Sequence, residues 1–257
     1  MPYLNGKPLI DWFHSPECDF PAEISYAVPS RLAMLLESGE LDAALLSSFE
    51  ALKHPEFHIA PDVSVAARGE VQSVRVFCRK PIAQVKNVAL DTSSLTSAAL
   101  TRIVMDEVYH LKPQYEPRPP DLDRMLNDFD AALIIGDLKL FETPVSEIID
   151  LGEAWFRLTE RPFVYATWLV RPEAVSGPLI NALLQAKNWG LSHLADLSSH
   201  WSNEMRLPYD RCRYYFERVM RYSLGPDEIG GLNLFREKCI RHGLISAKTI
   251  IEPASLD

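Results

Sequence analysis

Hydrophobic and polar positions follow two rhythms along this chain, one of period two and one of helical period. From residue 24 a β-rich stretch, residues 24–28, is followed by Pro29 leading an amphipathic run with Leu32, Leu35 and Leu36 on one face. The apolar segment 43–46 comes next. This order predicts a βαβ unit. Farther on, Pro120 leads Asp-Leu-Asp-Arg-Met-Leu, with Leu122, Met125 and Leu126 at helical spacing, and runs into the apolar segment 131–135. The plan occurs twice, down to the letters: Asp42-Ala43-Ala44-Leu45 and Asp130-Ala131-Ala132-Leu133 are the same tetrapeptide at the helix-to-strand junction.

Each of these strands ends in small or polar residues, Ser47-Ser48 in one and Gly136-Asp137 in the other. Ligands of parallel α/β sheets bind at the carboxyl ends of strands. Two such units therefore predict two similar lobes with their functional edges on a shared cleft. Between them lie the period-two segment 73–78 and a short buried strand at 87–91; after them comes the long β-rich segment 163–170. Segments 73–78 and 163–170 read as the strands that carry the chain out of lobe one and back. Residues 179–193, 209–222 and 227–242 read as helices with ends marked by Pro or Gly. The expected fold class is α/β with mixed, mainly parallel sheets. Lobe one comprises residues 1–77 plus 166–257 and is helical in its C-terminal part; lobe two comprises residues 78–165, and a hinge falls near 77–79 and 163–167.

A length of 257 residues, 47% hydrophobic and 24% charged, is that of an ordinary globular chain and excludes collagen, coiled coil and disorder as global descriptions. The 26 Lys and Arg against 35 Asp and Glu leave a net charge of −9, and no basic run rises out of it, which disfavours nucleic acid. The same balance repels a small anionic substrate, so such a ligand needs a local device to hold it. No secretory leader or membrane-length apolar run is visible, and the four cysteines are widely spaced without a Cys-x-x-Cys, so the expected location is the cytoplasm.

The stretch Asp91-Thr92-Ser93-Ser94-Leu95-Thr96-Ser97 carries five hydroxyls between a strand and a helix. Hydroxyls and free backbone N–H groups beside the positive end of a helix dipole bind carboxylate or phosphate. The plainer alternative is one Ser as an N-cap and the rest solvated. Asn5, placed where a very short first strand gives way to a turn, offers an amide to a ligand hydroxyl or serves the turn alone. Gly136-Asp137 is either a strand-end turn or a close backbone approach to a ligand with Asp137 as a charged group. His54 and His58 have i, i+4 spacing, but Pro55 and Pro61 flank them and no carboxylate is patterned around them, so no metal site is expected. No G-x-S-x-G, P-loop or G-x-G-x-x-G occurs, which removes serine hydrolase, NTPase and dinucleotide readings. The aromatic cluster Trp155, Phe156, Phe163, Tyr165 and Trp168 reads as hinge and core, with one ring available for a cleft wall.

These residues together resemble a known family, the menaquinone biosynthesis protein MqnA family of chorismate dehydratases in the futalosine route. The resemblance covers nearly the whole chain. It is carried by Tyr3-Leu4-Asn5 with Pro8-Leu9, Pro29-Ser-Arg-Leu-Ala33 followed by Gly39-Glu-Leu-Asp-Ala43, and Ser73-Val74 with Val76-Phe77. Ala89-Leu-Asp-Thr-Ser-Ser94 with Thr96-Ser97, Leu133-Ile-Ile-Gly-Asp137 and Asp150-Leu-Gly-Glu153 with Trp155 continue it. Arg161-Pro-Phe-Val164 with Trp168 and Leu224-Gly-Pro complete it. It implies a two-lobe type II periplasmic-binding-protein fold and removal of water from chorismate, a small dianion, without metal or organic cofactor. On that reading Asn5 and Ser73 orient the reacting groups, a substrate carboxylate takes the ring proton, and Asp137 is the fallback general acid or base. Ser48, Thr92, Ser93, Ser94, Thr96, Ser97, Gly136 and Asp137 would line the substrate. Members usually carry Arg where this chain has Leu95, and several residues before the Tyr-Leu-Asn block. A naphthoate-synthase-type lyase and a non-catalytic sensor of an aromatic carboxylate are the competing readings, because fold alone does not imply catalysis.

Overall fold

The computed structural model describes residues 3–136 and 145–246. Two sheets organise them. The first has the strand order β1-β8-β2-β9, with β1 at Ala43–Ser47, β8 at Phe163–Val170, β2 at His58–Ala67 and β9 at Met220–Arg221. The second has the order β5-β4-β6-β3-β7, with β5 at Gln114–Arg118, β4 at Asn87–Asp91, β6 at Ala131–Ile135, β3 at Val74–Cys78 and β7 at Glu147–Asp150. The chain leaves the first sheet after β2 and returns to it at β8.

The repeated tetrapeptide marks a real structural repeat. β6 pairs antiparallel with β3, which pairs with β7; β1 pairs antiparallel with β8, which pairs with β2. Ala131 stands opposite Cys78 and Ala43 opposite Val170, and the next residue on each partner strand is an arginine. Arg79 N–H donates to the Asp130 carbonyl at 2.9 Å and Arg171 N–H to the Asp42 carbonyl at 3.0 Å. The same junction is closed the same way in both halves.

The repeat breaks on the other side of these strands. In the second sheet β4 lies between β5 and β6 and is parallel to both. Among the described residues no strand pairs with the outer edge of β1, and the first sheet is antiparallel throughout. The expected parallel bias is thus confined to the pairings of β4. Residues 24–28, the predicted strand in the position of β5, lack a neighbour to donate to and form no ladder; Tyr26 and Val28 are exposed. An extended segment becomes a strand only when its N–H and C=O groups find a partner. The helix that follows, α1 (Pro29–Ser38), forms as expected, with Leu32, Ala33 and Leu36 buried and Gly39 left-handed at its end.

The expected first strand is instead a 3₁₀ helix, Leu4–Leu9. It lies against α6 (Gly177–Ser192) so closely that a Cβ on Gly190 would sit 1.9 Å from the Pro8 carbonyl oxygen. The predicted helix at 209–222 divides into α8 (Tyr209–Tyr214), a π-helical turn over Tyr215–Val219, and β9. α7 (Leu194–Met205) and α9 (Pro226–Arg241) complete the C-terminal layer. The largest core cluster runs through both sheets and into these helices, and edge-to-face contacts join Trp155, Phe163 and Phe235 within it.

Candidate functional site

A cavity of about 50 Å³ lies between the two sheets, where the repeat brings the ends of β1 and β6 together. Ser47 and Ala166 line it from the first sheet; Val74, Ile135 and Gly136 line it from the second. Among the described residues twelve line it, and none of these is Lys, Arg, His, Asp or Glu. Asn5, Ser73, Ser93, Ser94, Ser97 and Gly136, expected to contact a ligand, do line it.

Other expected contacts point elsewhere. The Ser48 hydroxyl donates to the Val164 carbonyl at 2.6 Å and is fully buried. Its neighbour Ser47 faces the cavity in its place and caps α2 (Ser48–Lys53). Thr96 Oγ1 accepts the Phe49 N–H at 2.8 Å, a bond from one lobe to the other, and Thr92 is exposed outside the cavity. Asp137 lies outside the described residues. Leu95 is 44% exposed and does not line the cavity.

The hydroxyl-rich loop is built by two devices. Asp91, 2% exposed, accepts the Ser93 N–H at 2.8 Å and, across the sheet, the Ile135 N–H at 3.1 Å. Ser94 then caps α3 (Leu95–Glu107), its oxygen accepting the Ser97 N–H at 3.1 Å and its hydroxyl donating to Ser97 Oγ at 3.0 Å. Ser94 is thus the N-cap, and the cap sets Ser93, Ser94 and Ser97 around the positive end of a helix of 13 residues.

Tyr3 closes the cavity from lobe one. Its ring lies on Gly136, where φ is +75° and a Cβ would come within 2.3 Å of the ring. Only glycine allows both the left-handed backbone and that approach. Burial raises the Tyr3 phenol above its usual value against a hydrogen bond with Ser93, so it remains a neutral donor. Gly136 N–H in turn donates to the Ser73 carbonyl at 2.7 Å.

Two features were invisible in the sequence. The Tyr215 hydroxyl, from the π-helical turn, lies 2.7 Å from Ser73 Oγ. Asp150 ties down the crossover before Ser73 by accepting the N–H groups of Val71 at 2.9 Å and Gln72 at 2.8 Å. Both partners are more than seventy residues from Ser73, so no local spacing could have shown them.

Among the described residues no group of three or more His, Cys, Asp or Glu could hold a metal ion, and no helix is long and apolar enough to cross a membrane. His54, expected to lack carboxylate neighbours, has Glu37, Glu50 and Glu56 within 3.3 Å, brought together by folding.

If the loop holds an anion, replacing Ser93 and Ser94 together by Ala removes the Ser93 donor and the cap that orders the start of α3, and raises KM at least about tenfold at little cost in kcat, since one hydrogen bond to a charged group contributes about 1.5–3 kcal/mol. Initial-rate kinetics on the folded double variant decide it. An unchanged KM sinks the anion-site assignment.

A family described as menaquinone biosynthesis matches residues 1–241. A chorismate dehydratase of Thermus thermophilus is 33% identical over 234 residues, covering 83% of this chain and 85% of that protein. A chorismate dehydratase of Campylobacter jejuni is 26% identical over 240 residues, covering 92% and 90%. Among solved structures, the periplasmic aliphatic sulphonate binding protein SsuA of Escherichia coli superposes with a TM-score of 0.61 at 13% identity, covering 99% of this chain and 89% of that one, a likeness of fold.

Proposed function

Because the chain belongs to the menaquinone biosynthesis family, we propose that it is a chorismate dehydratase, as two of its relatives are described to be. The observation that carries the site assignment is an orphan: Asn5 Oδ1 is buried at the cavity with no hydrogen-bond partner. A buried acceptor without a donor costs free energy that a ligand hydroxyl can return.

The reaction converts chorismate to 3-[(1-carboxyvinyl)oxy]benzoate. One ring C–H bond and the neighbouring C–O bond break, the ring gains its third double bond, and the proton and hydroxide leave as water. Aromatisation makes the step strongly downhill, so positioning supplies much of what the protein must add. A wall without Lys, Arg, His, Asp or Glu among the described residues favours a substrate carboxylate as the proton acceptor. Ser93, Ser94 and Ser97 at the mouth of α3 would hold the other carboxylate. Ser73 would donate to the departing oxygen while Asn5 Oδ1 accepts that hydroxyl's hydrogen.

A cavity of about 50 Å³ has room for a few waters, and a ring dianion needs several times that. The lobes must part to admit it, releasing the Tyr3 and Thr96 contacts, and closing again excludes water.

Incubation with chorismate and mass detection of a product lighter by one water tests the reading. Tight binding without turnover overturns it in favour of a sensor. Neither binding nor turnover overturns the substrate assignment as a whole.

A further inference from the structure

Two polar side chains meet behind the cleft, and their hydrogen bond has a direction. Tyr215 is buried, and its hydroxyl lies 2.7 Å from Ser73 Oγ. Asn5 lines the same cavity as Ser73, and its Oδ1 is buried there without a hydrogen-bond partner. Burial raises the Tyr215 phenol above its usual value, so its proton is present at any working pH.

A phenol has one hydrogen to give. Asn5 Oδ1 does not take it, because that oxygen is unpartnered. Ser73 Oγ is the acceptor in place, at 2.7 Å. Ser73 then has its own hydrogen left, and its one other nearby acceptor, the Val71 carbonyl, is a poor match at 3.4 Å.

We propose that Tyr215 is a positioning residue that sets the hydrogen-bond polarity of the cleft: it donates to Ser73 Oγ, so that Ser73 keeps its own hydrogen for the substrate beside the unpartnered Asn5 acceptor. The proposal rests on the chorismate dehydratase reading for its kinetic arm. It explains why Ser73, a hydroxyl able to donate or accept, acts in one sense. The π-helical turn that starts at Tyr215 is the local distortion that directs this side chain inward, and such turns recur at functional sites.

Tyr215→Phe keeps the ring in the core and removes only the hydroxyl. Expected is a kcat about tenfold lower with KM changed by less than about threefold, the signature of an interaction used in the transition state. The Ser73→Ala, Tyr215→Phe double variant turns over as slowly as Ser73→Ala alone, because the phenol acts through Ser73. Losses that multiply, or a Tyr215→Phe rate within about twofold of the parent, overturn the proposal.

A second measurement needs no turnover. A hydroxyl proton held in a buried bond exchanges slowly with water, so the unliganded protein should show a proton resonance that vanishes in Tyr215→Phe and shifts in Ser73→Ala. A Tyr215 resonance that Ser73→Ala does not move overturns the relay. If the parent protein releases no water from chorismate, the functional reading falls, and this resonance still decides the relay.

Discussion

Ser73→Ala slows dehydration of chorismate about 100-fold, the scale on which loss of one preorganised donor to a charge-developing oxygen is felt. The departing hydroxyl carries growing negative charge, and in the proposed mechanism Ser73 is the donor to it. Asn5→Ala is expected to cost at least about tenfold, because its oxygen orients that hydroxyl without stabilising the charge. Both variants leave KM nearly unchanged, since carboxylate binding belongs to the α3 loop. Asp137→Asn should cost less than Asn5→Ala if a substrate carboxylate is the base. Initial rates at saturating chorismate rank the three. If Asp137→Asn is the slowest, that residue is the acid or base and the substrate-assisted step is wrong.

The negative chain charge returns here as a local matter. Among the described residues, the cavity lining carries no ionised group, so the charges that make up the net −9 lie elsewhere among them. In the proposed binding mode the α3 dipole and the loop serines, with Tyr3, would face the ligand, which makes the local field count for more than the net charge. Asp91 opens that loop, but its two oxygens already accept N–H groups from Ser93 and Ile135.

How much of this was legible depends on how local each cause is. The tetrapeptide at 42–45 and 130–133 disclosed the repeat because each copy specifies its own junction. The strand at 24–28 was misread because pairing, not propensity, decides a strand, and its neighbour is missing from the first sheet. β2 was overlooked because Pro61 and Asp62 break its period. The pairing with β8 shifts register between Ile59 and Ser64, Asp62 takes φ +53°, and Lys187 Nζ bonds its carboxylate at 2.6 Å. Proline is tolerated in such irregularities.

The site shows the same division. Ser47 and Ser48 are chemically alike, yet one-residue alternation sends one side chain to the cavity and the other to the Val164 carbonyl. Ser93 and Ser94 were readable from a helix start, a short-range signal. Tyr215 was hidden inside a stretch read as one continuous helix, and its inward turn comes from the π-helical irregularity that a regular period cannot reveal.

Asp150→Ala should be the most destabilising single change among the residues discussed, at about 3–5 kcal/mol. Its carboxylate, 8% exposed, accepts N–H groups from Val71, Gln72, Gly152 and Glu153, and Arg75 Nε lies 3.4 Å away. One side chain thereby caps α5 (Leu151–Thr159) and fastens the crossover, where Gln72 is held at φ +65°. Removing it strands several buried donors together. Asp121 provides the comparison: it caps α4 (Leu122–Asp128) through one exposed bond to the Arg124 N–H at 3.1 Å. Asp121→Ala should cost only about 1 kcal/mol, the ordinary value of a helix cap. Urea denaturation of both variants measures the difference. A cost for Asp150→Ala no greater than for Asp121→Ala would mean that water replaces the carboxylate without loss, and the crossover would then have to be held by β3 pairing alone. Asp150→Asn sharpens the result, because its amide nitrogen turns one acceptor toward those N–H groups into a donor. It should lose at least half as much stability as Asp150→Ala and, by loosening the segment that carries Ser73, also lower kcat in the fraction that remains folded.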